Sequence, residues 1–286
     1  TALGAMQAGS NNIAIGKNAL ADINRSNSDA NIAIGSGALD ACGATHDNYS
    51  NIAIGDDALG AVCSNTRILN VAVGRFALTA VTSGGYNTGL GYTAGLNITT
   101  GSNNLCLGFR AGGANSPNDV STDSNNIVLG DDNTDDFYCA DNSISSSDER
   151  DKTDIATFGI GLDFVNQMRA VTYRWDKRSW YCEESQDEDG KPIPVTIEEV
   201  ANAVPDGSKK KPEIQIGFLA QEVQAIEQQY GYSQTKDDGT PDEDTELVVD
   251  STSDGIQLHL QYGKMTPILV KAIQELSAKV TALENA

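Results

Sequence analysis

No apolar run in these 286 residues approaches the roughly 20 that a membrane-spanning helix requires, so membrane insertion is not expected. Nor is there a signal-like N-terminus; beginning at Thr1 in mid-pattern, the chain reads as the C-terminal piece of something longer. Basic charge is scarce, 19 Lys and Arg against 40 Asp and Glu for a net charge of -21, which argues against nucleic acid as a partner because phosphate binding needs clustered cations. The acidity is shared by both halves, 5 basic against 13 acidic side chains in residues 1–146 and 14 against 27 in residues 147–286, and reads as a solubility feature. Aromatics make up only 6% and the apolar fraction is 39%, while glycines number 28, a balance that suggests many short turns in place of one thick core. The five cysteines, Cys42, Cys63, Cys106, Cys139 and Cys182, are an odd number without CxxC or Cys/His spacing, so neither a zinc site nor a disulfide framework is indicated and buried free thiols in a reducing cytoplasm are expected. His46 and His259 are each isolated. No metal or other cofactor is expected.

What is present, above all, is repetition. NIAIGKNAL starts at Asn12, NIAIGSGAL at Asn31, NIAIGDDAL at Asn51, NVAVGRFAL at Asn70, NTGLGYTAG at Asn87, NLCLGFRAG at Asn104 and NIVLGDDN at Asn126, and the opening TALGAMQAG is a further copy without its first residue. Successive starts lie 19, 20, 19, 17, 17 and 22 residues apart. Each copy alternates apolar positions, such as Ile13 and Ile15 or Val71 and Val73, and closes on glycine, which predicts a short strand with one buried face and a turn intolerant of a Cβ. The xxAL or xxAG that follows is a second short strand or a tight corner, and the Ser/Asn/Gly segments between copies are loops. So small a unit cannot bury its apolar face alone, and the copies must stack into a solenoid. The stack is thin, which favours further burial between chains. The leading asparagines are placed to ladder with one another. An acidic run, Asp131 to Asp136, lacks full calcium-loop spacing and reads as a solvated turn. The NxAxG pattern over residues 1–133 resembles the head repeats of trimeric autotransporter adhesins, which also occur in phage tail fibres; that resemblance implies a parallel β-roll in each chain and three chains around an axis.

After Tyr138 the pattern stops. GIGLDFVNQMRAVTYRW predicts a short helix over Leu162–Met168 and a strand ending near Trp175, and GFLAQEVQAIEQQYG an amphipathic helix with Leu219, Val223 and Ile226 on one stripe. Residues 183–213 and 234–247 read as surface excursions. The tail predicts a helix capped by Thr266 with Pro267 in its first turn. Its apolar residues Leu269, Ile273, Leu276, Val280 and Leu283 step by four, three, four and three, the seam of a coiled coil that meets copies of itself, with packing of the helix on its own domain as the alternative. Two heptads are marginal alone, so the rest of the domain must help hold the copies together.

Between the two regions lies SSSDERDKTDI, residues 145–155, with Ser147 five positions before Lys152. A serine hydroxyl becomes a nucleophile when a base takes its proton, and a lysine serves as that base only when neutral, which calls for a folded, partly dry pocket. Spacing alone is a weak signal. SDERDK from Ser147, then TDI, GLDFVNQMRAVTYRWD, GFLAQEV and a C-terminal coiled-coil helix, in that order over residues 147–286, resemble the intramolecular chaperone autoprocessing domain of phage tail spikes and fibres, the endosialidase type.

The resemblance implies a homotrimer whose C-terminal domain helps the repeats fold and then releases itself by one autocatalytic serine-endopeptidase cut. Ser147 would be the nucleophile, Lys152 the general base, and the scissile bond Ser146–Ser147, with Asp148 and Arg150 organising the loop. Asp151 stands where the family often has an apolar residue and puts a carboxylate beside the base, an arrangement that raises a lysine's affinity for its proton. The implied protein is a virion component assembled in the host cytoplasm, a tail fibre meeting a host-surface receptor, with glycan one candidate. The fold expected is an all-β solenoid of repeats over 1–146 and an α+β chaperone domain over 147–286, closed by a trimeric coiled-coil helix over 266–286. The alternative is an adhesin or fibre whose C-terminal domain stays attached as a passive trimeriser. A glycan-cleaving enzyme is disfavoured, as the repeats offer no paired Asp/Glu site.

Overall fold

The computed structural model describes residues 9–21, 28–41, 48–61, 67–134, 137, 147–183, 185–188, 192–234, 236, 245–251 and 258–286. Contacts divide the chain into two compact units, Thr1–Asp135 with Asp176–Lys210, and Asp136–Trp175 with Lys211–Ala286.

In the first unit each described repeat supplies one three-residue strand, Ile13–Ile15, Ile32–Ile34, Ile52–Ile54, Val71–Val73, Thr88–Leu90, Leu105–Leu107 and Ile127–Leu129. The strands pair in parallel in chain order, one per coil of a β-solenoid. The register matches repeat to repeat: Ala33 lies opposite Ala14 and Ala53, Ala72 opposite Ala53 and Gly89, Cys106 opposite Gly89 and Val128. This central position is the buried one. Ala33, Ala53, Ala72 and Cys106 are fully enclosed, whereas Ile13, Ile15, Leu90 and Ile127 are 49%, 59%, 49% and 71% exposed. The alternation read from the sequence is correct, but the face it turns inward is the central one, alanine at positions 14, 33, 53 and 72 and Gly89, Cys106 and Val128 in the later coils, mostly small side chains that suit so thin a coil.

The opposite wall of the core comes from Leu20, Leu39, Leu59 and Leu78, each beside a buried alanine. This stretch is the tight corner and not a second strand. Its leucines adopt φ of 51 to 54°, a left-handed conformation costly for a branched side chain. Stacking offsets the strain, since each leucine N–H donates to the alanine carbonyl of the next coil, as from Leu39 to Ala58 at 3.0 Å and from Leu59 to Ala77 at 3.0 Å. The glycine that closes each strand is required on two counts. At Gly55 φ is +137°, and a Cβ there would run into the carbonyl oxygen of Gly74 on the next coil.

Asparagine laddering is present throughout. Asn51 Oδ1 accepts from the Asn70 backbone N–H at 3.0 Å and from its side-chain amide at 3.2 Å, Asn70 Oδ1 accepts from Asn87 N–H at 3.0 Å, and Asn104 Oδ1 accepts from Asn126 N–H at 3.1 Å. The same amides donate sideways into the loops, Asn70 to Gly84 O at 3.0 Å and Asn87 to Gly101 O at 2.8 Å. One side chain per repeat thus satisfies the buried backbone of two coils.

Residues 176–210, most of which the sequence assigns to a surface excursion, pack with this unit. They form a 3-10 turn Arg178–Tyr181, a short pairing of Ser185–Gln186 with Pro192–Ile193, and a helix Ile197–Asn202. Thr196 and Glu199 close a capping box at the helix start.

The second unit is α+β. Val171–Tyr173 pairs antiparallel with Gln215–Gly217, and Val249–Ser251 with Leu258–Leu260. The helices Leu162–Gln167, Ala220–Gln229 and Tyr262–Glu284 supply Phe164, Val223, Ile226, Met265 and Ile268 to one core with Val248 and Val249. Val223 and Ile226 are buried as expected, but Leu219 is the N-cap residue and stays 39% exposed. The last helix begins at Tyr262, four residues before the expected Thr266 cap, and encloses Pro267. Packing of Met265 and Ile268 in the core carries the helix through a position where proline removes one backbone bond. Glu227, fully enclosed, accepts from Val248 N–H at 2.7 Å, Val249 N–H at 3.1 Å and Ser233 Oγ at 2.6 Å, and so ties the Ala220–Gln229 helix to the strand Val249–Ser251.

Candidate functional site

The Ser147–Lys152 stretch is organised by one residue. Asp148 sits in extended conformation, φ -67° and ψ 131°, and caps the 3-10 turn Glu149–Asp151 by accepting from Arg150 N–H at 2.9 Å. The Arg150 side chain returns to the same carboxylate as a two-pronged fork, Nε to Oδ1 at 3.0 Å and Nη2 to Oδ2 at 2.6 Å. That hydrogen-bonded fork, with the backbone N–H, holds the Asp148 carboxyl below the usual carboxylate range. The turn closes when Lys152 N–H donates to Glu149 O at 3.2 Å. It brings the Lys152 side chain back along the chain, and Nζ donates to Ser147 Oγ at 2.7 Å.

The pair of residues named from the sequence is therefore in hydrogen-bond contact, with Asp148 and Arg150 shaping the loop between them. An ammonium donates across that distance, and a neutral amine accepts the hydroxyl proton across the same distance. Ser147, Asp148, Arg150 and Lys152 are all exposed in the single chain. Ser146, the other side of the expected scissile bond, and the side chain of Asp151 lie outside what the structure describes.

Of the other residues singled out, Leu269, Ile273, Leu276, Val280 and Leu283 all sit on the last helix, between 43% and 77% exposed, while Met265, Ile268 and Ala272 turn into the domain core. The helix thus has an inward face, the packing on its own domain that is the alternative to the heptad seam, and an outward apolar seam. Glu275 accepts from Leu162 N–H at 2.9 Å and supplies the cap that the short helix Leu162–Gln167 lacks, and this bond, with Lys271 adding to it, keeps its carboxyl low.

Burial, with Asp119 adding to it, pushes the Cys106 thiol up to about 12, a neutral core group. Cys182 is half-buried; Cys42, Cys63, Cys139 and His46 lie outside the described residues, and His259 is on the strand Leu258–Leu260. Among the described residues no group of three or more His, Cys, Asp or Glu side chains is placed to hold a metal ion. Within the acidic run, Asp131 accepts from Asn133 N–H at 3.1 Å, and Asp132 is buried and paired with Lys177 at 3.4 Å; Asp135 and Asp136 lie outside the described residues. The Asp132 pairing is the contact that sequence reading missed. No signal for it exists along the chain, since its partners are 45 to 48 residues away.

No curated protein and no solved structure matches the chain. Residues 147–232, which begin at the serine of the Ser/Lys pair, match the family model described as the chaperone of endosialidase, in line with the intramolecular chaperone domain of phage tail fibres to which the motif series is similar.

Proposed function

We propose that this chain is the C-terminal part of a phage tail fibre in which residues 147–286 trimerise, bring three repeat regions into register, and then sever the Ser146–Ser147 bond in cis. The observation that carries the proposal is the 2.7 Å Lys152 Nζ to Ser147 Oγ contact at the first residue of the family match. Ser147 contributes the amide nitrogen of the bond it attacks. Its Oγ adds to the Ser146 carbonyl carbon as neutral Lys152 takes the hydroxyl proton; the C–N bond breaks, and the proton passes to the departing Ser147 nitrogen. Water then hydrolyses the Ser146 ester, giving a carboxylate on one fragment and restoring the hydroxyl of a free N-terminal Ser147 on the other. Direct attack by a water that Lys152 activates gives the same products.

Two outward apolar surfaces support a homotrimer, the Ile and Leu face of the solenoid strands and the Leu269 to Leu283 seam of the last helix. Near-identical repeats can pair out of step, and a C-terminal trimeriser fixes the chain ends before the stack grows. Removing it afterwards makes unfolding practically irreversible. The fibre so formed belongs to the virion, is assembled in the host cytoplasm, and meets a host-surface receptor.

The second reading, a trimeriser that stays attached, is favoured by one observation: Ser147 and Lys152 are open to water in the single chain, whereas a Ser/Lys cut calls for a folded, partly dry pocket. Intact-mass measurement on freshly purified protein decides between them. Two fragments meeting at the 146/147 bond, absent in Ser147→Ala and Lys152→Ala, are expected; one species near 30.2 kDa under folding conditions would leave the passive trimeriser.

A further inference from the structure

The segment 176–210 packs with the repeats although it belongs in sequence to the other side of the proposed cut. Its anchor is the turn after the last coil. Asp132 is 6% exposed, its backbone N–H donates to Asn115 O at 2.9 Å, and its carboxylate accepts from the hydroxyl of Ser179, itself 4% exposed. Lys177 Nζ donates to Asp132 O at 3.0 Å and lies 3.4 Å from Oδ1, and the Trp180 indole N–H donates to the same carbonyl at 3.2 Å. A second contact lies on the flank, where Pro194 and Val195 line a small cleft with Thr93, Asn97 and Arg110.

The segment comes to this contact braced. Tyr181 OH donates to Asp176 Oδ1 at 2.7 Å, Gly207 N–H to Asp176 Oδ2 at 3.0 Å, and Lys209 N–H to Tyr181 OH at 3.1 Å. None of these bonds involves residues 138–146, and none is broken by cutting the chain there.

We propose that residues 176–210 are a latch that keeps the C-terminal domain bound to the last repeat coil after the chain is cut, with Asp132 as its keeper. The proposal rests on the self-cleaving reading above and adds a step to it. Because 176–210 is covalently part of 147–286, cutting at 146/147 turns a covalent joint into a non-covalent one, and release becomes a separate event. The buried polar cluster suits that role: its bonds are satisfied only when the last coil has formed, so the latch engages a finished solenoid and not an unfolded chain.

The test separates the two readings by cutting without Ser147. Full-length Ser147→Ala protein carrying a site-specific protease sequence within residues 138–146 is cut by that protease, and native mass spectrometry with timed size exclusion follows the fragments. They are expected to travel together. Asp132→Ala should speed their separation by at least ~30-fold, the effect of stripping one partner from a buried hydrogen-bonded charge pair. Ser179→Ala with Trp180→Phe, which leaves every repeat residue in place, should also speed it and guards against a misfolded coil in the first variant. Prompt separation with Asp132 intact, or a rate unchanged by both variants, overturns the latch. Self-cleavage of the unaltered protein is read separately by intact mass, so its failure leaves this result standing.

Discussion

Asp148 is the residue on which the geometry of the Ser147/Lys152 loop depends. It takes one backbone and two side-chain hydrogen bonds from Arg150, and those bonds hold its carboxyl below the usual range. The sign follows: a depressed carboxyl pKa contributes order that is complete above the ordinary carboxylate value and is lost only as pH falls through the lowered one. Between neutrality and about pH 4 the loop should therefore keep its shape. Exchange of the Arg150 backbone amide in uncut Ser147→Ala protein, followed at stepped pH, would record it. An Arg150 amide that loses protection well above pH 4 speaks against the Asp148 cap. Asp148→Ala should slow cutting about 10-fold or more with the fold intact by circular dichroism, because the turn loses its cap.

At the scale of the element, the strand–glycine–corner repeat is held by its asparagine. Asn70→Ala would leave the Asn87 N–H and the Gly84 carbonyl without their partners inside the stack. Stranded buried groups cost about 1–3 kcal/mol each, so chemical denaturation should show a loss of roughly 2–6 kcal/mol, far above a substitution on the surface. The ladder, the closing glycine and the parallel stack are legible in the sequence because each repeats with the coil. The inward face is not: Ile-Ala-Ile is apolar on both sides, and only the space enclosed by the Leu20, Leu39, Leu59 and Leu78 wall selects alanine. The last helix shows the converse, since Thr266–Pro267 is a sound local start signal and core packing at Met265 begins the helix earlier.

For the whole molecule, the outward apolar seams call for a partner. Paired Ile273→Glu and Leu276→Glu, at residues 66% and 51% exposed, should leave the monomer fold unchanged and turn a trimer into a monomer by analytical ultracentrifugation. A trimer that persists in that variant would move the association elsewhere. The sequence by itself determined the repeat stack, its asparagine ladder and the α+β character of the second half, because each depends on neighbours a few residues or one repeat away; Ser147 and Lys152 are singled out only by the order of the motifs around them. Only the tertiary structure decided which strand face is interior, where the last helix starts, and that residues 176–210 close on Asp132. Those depend on the volume left by distant side chains and on bonds between residues 45 or more positions apart, which no local pattern encodes.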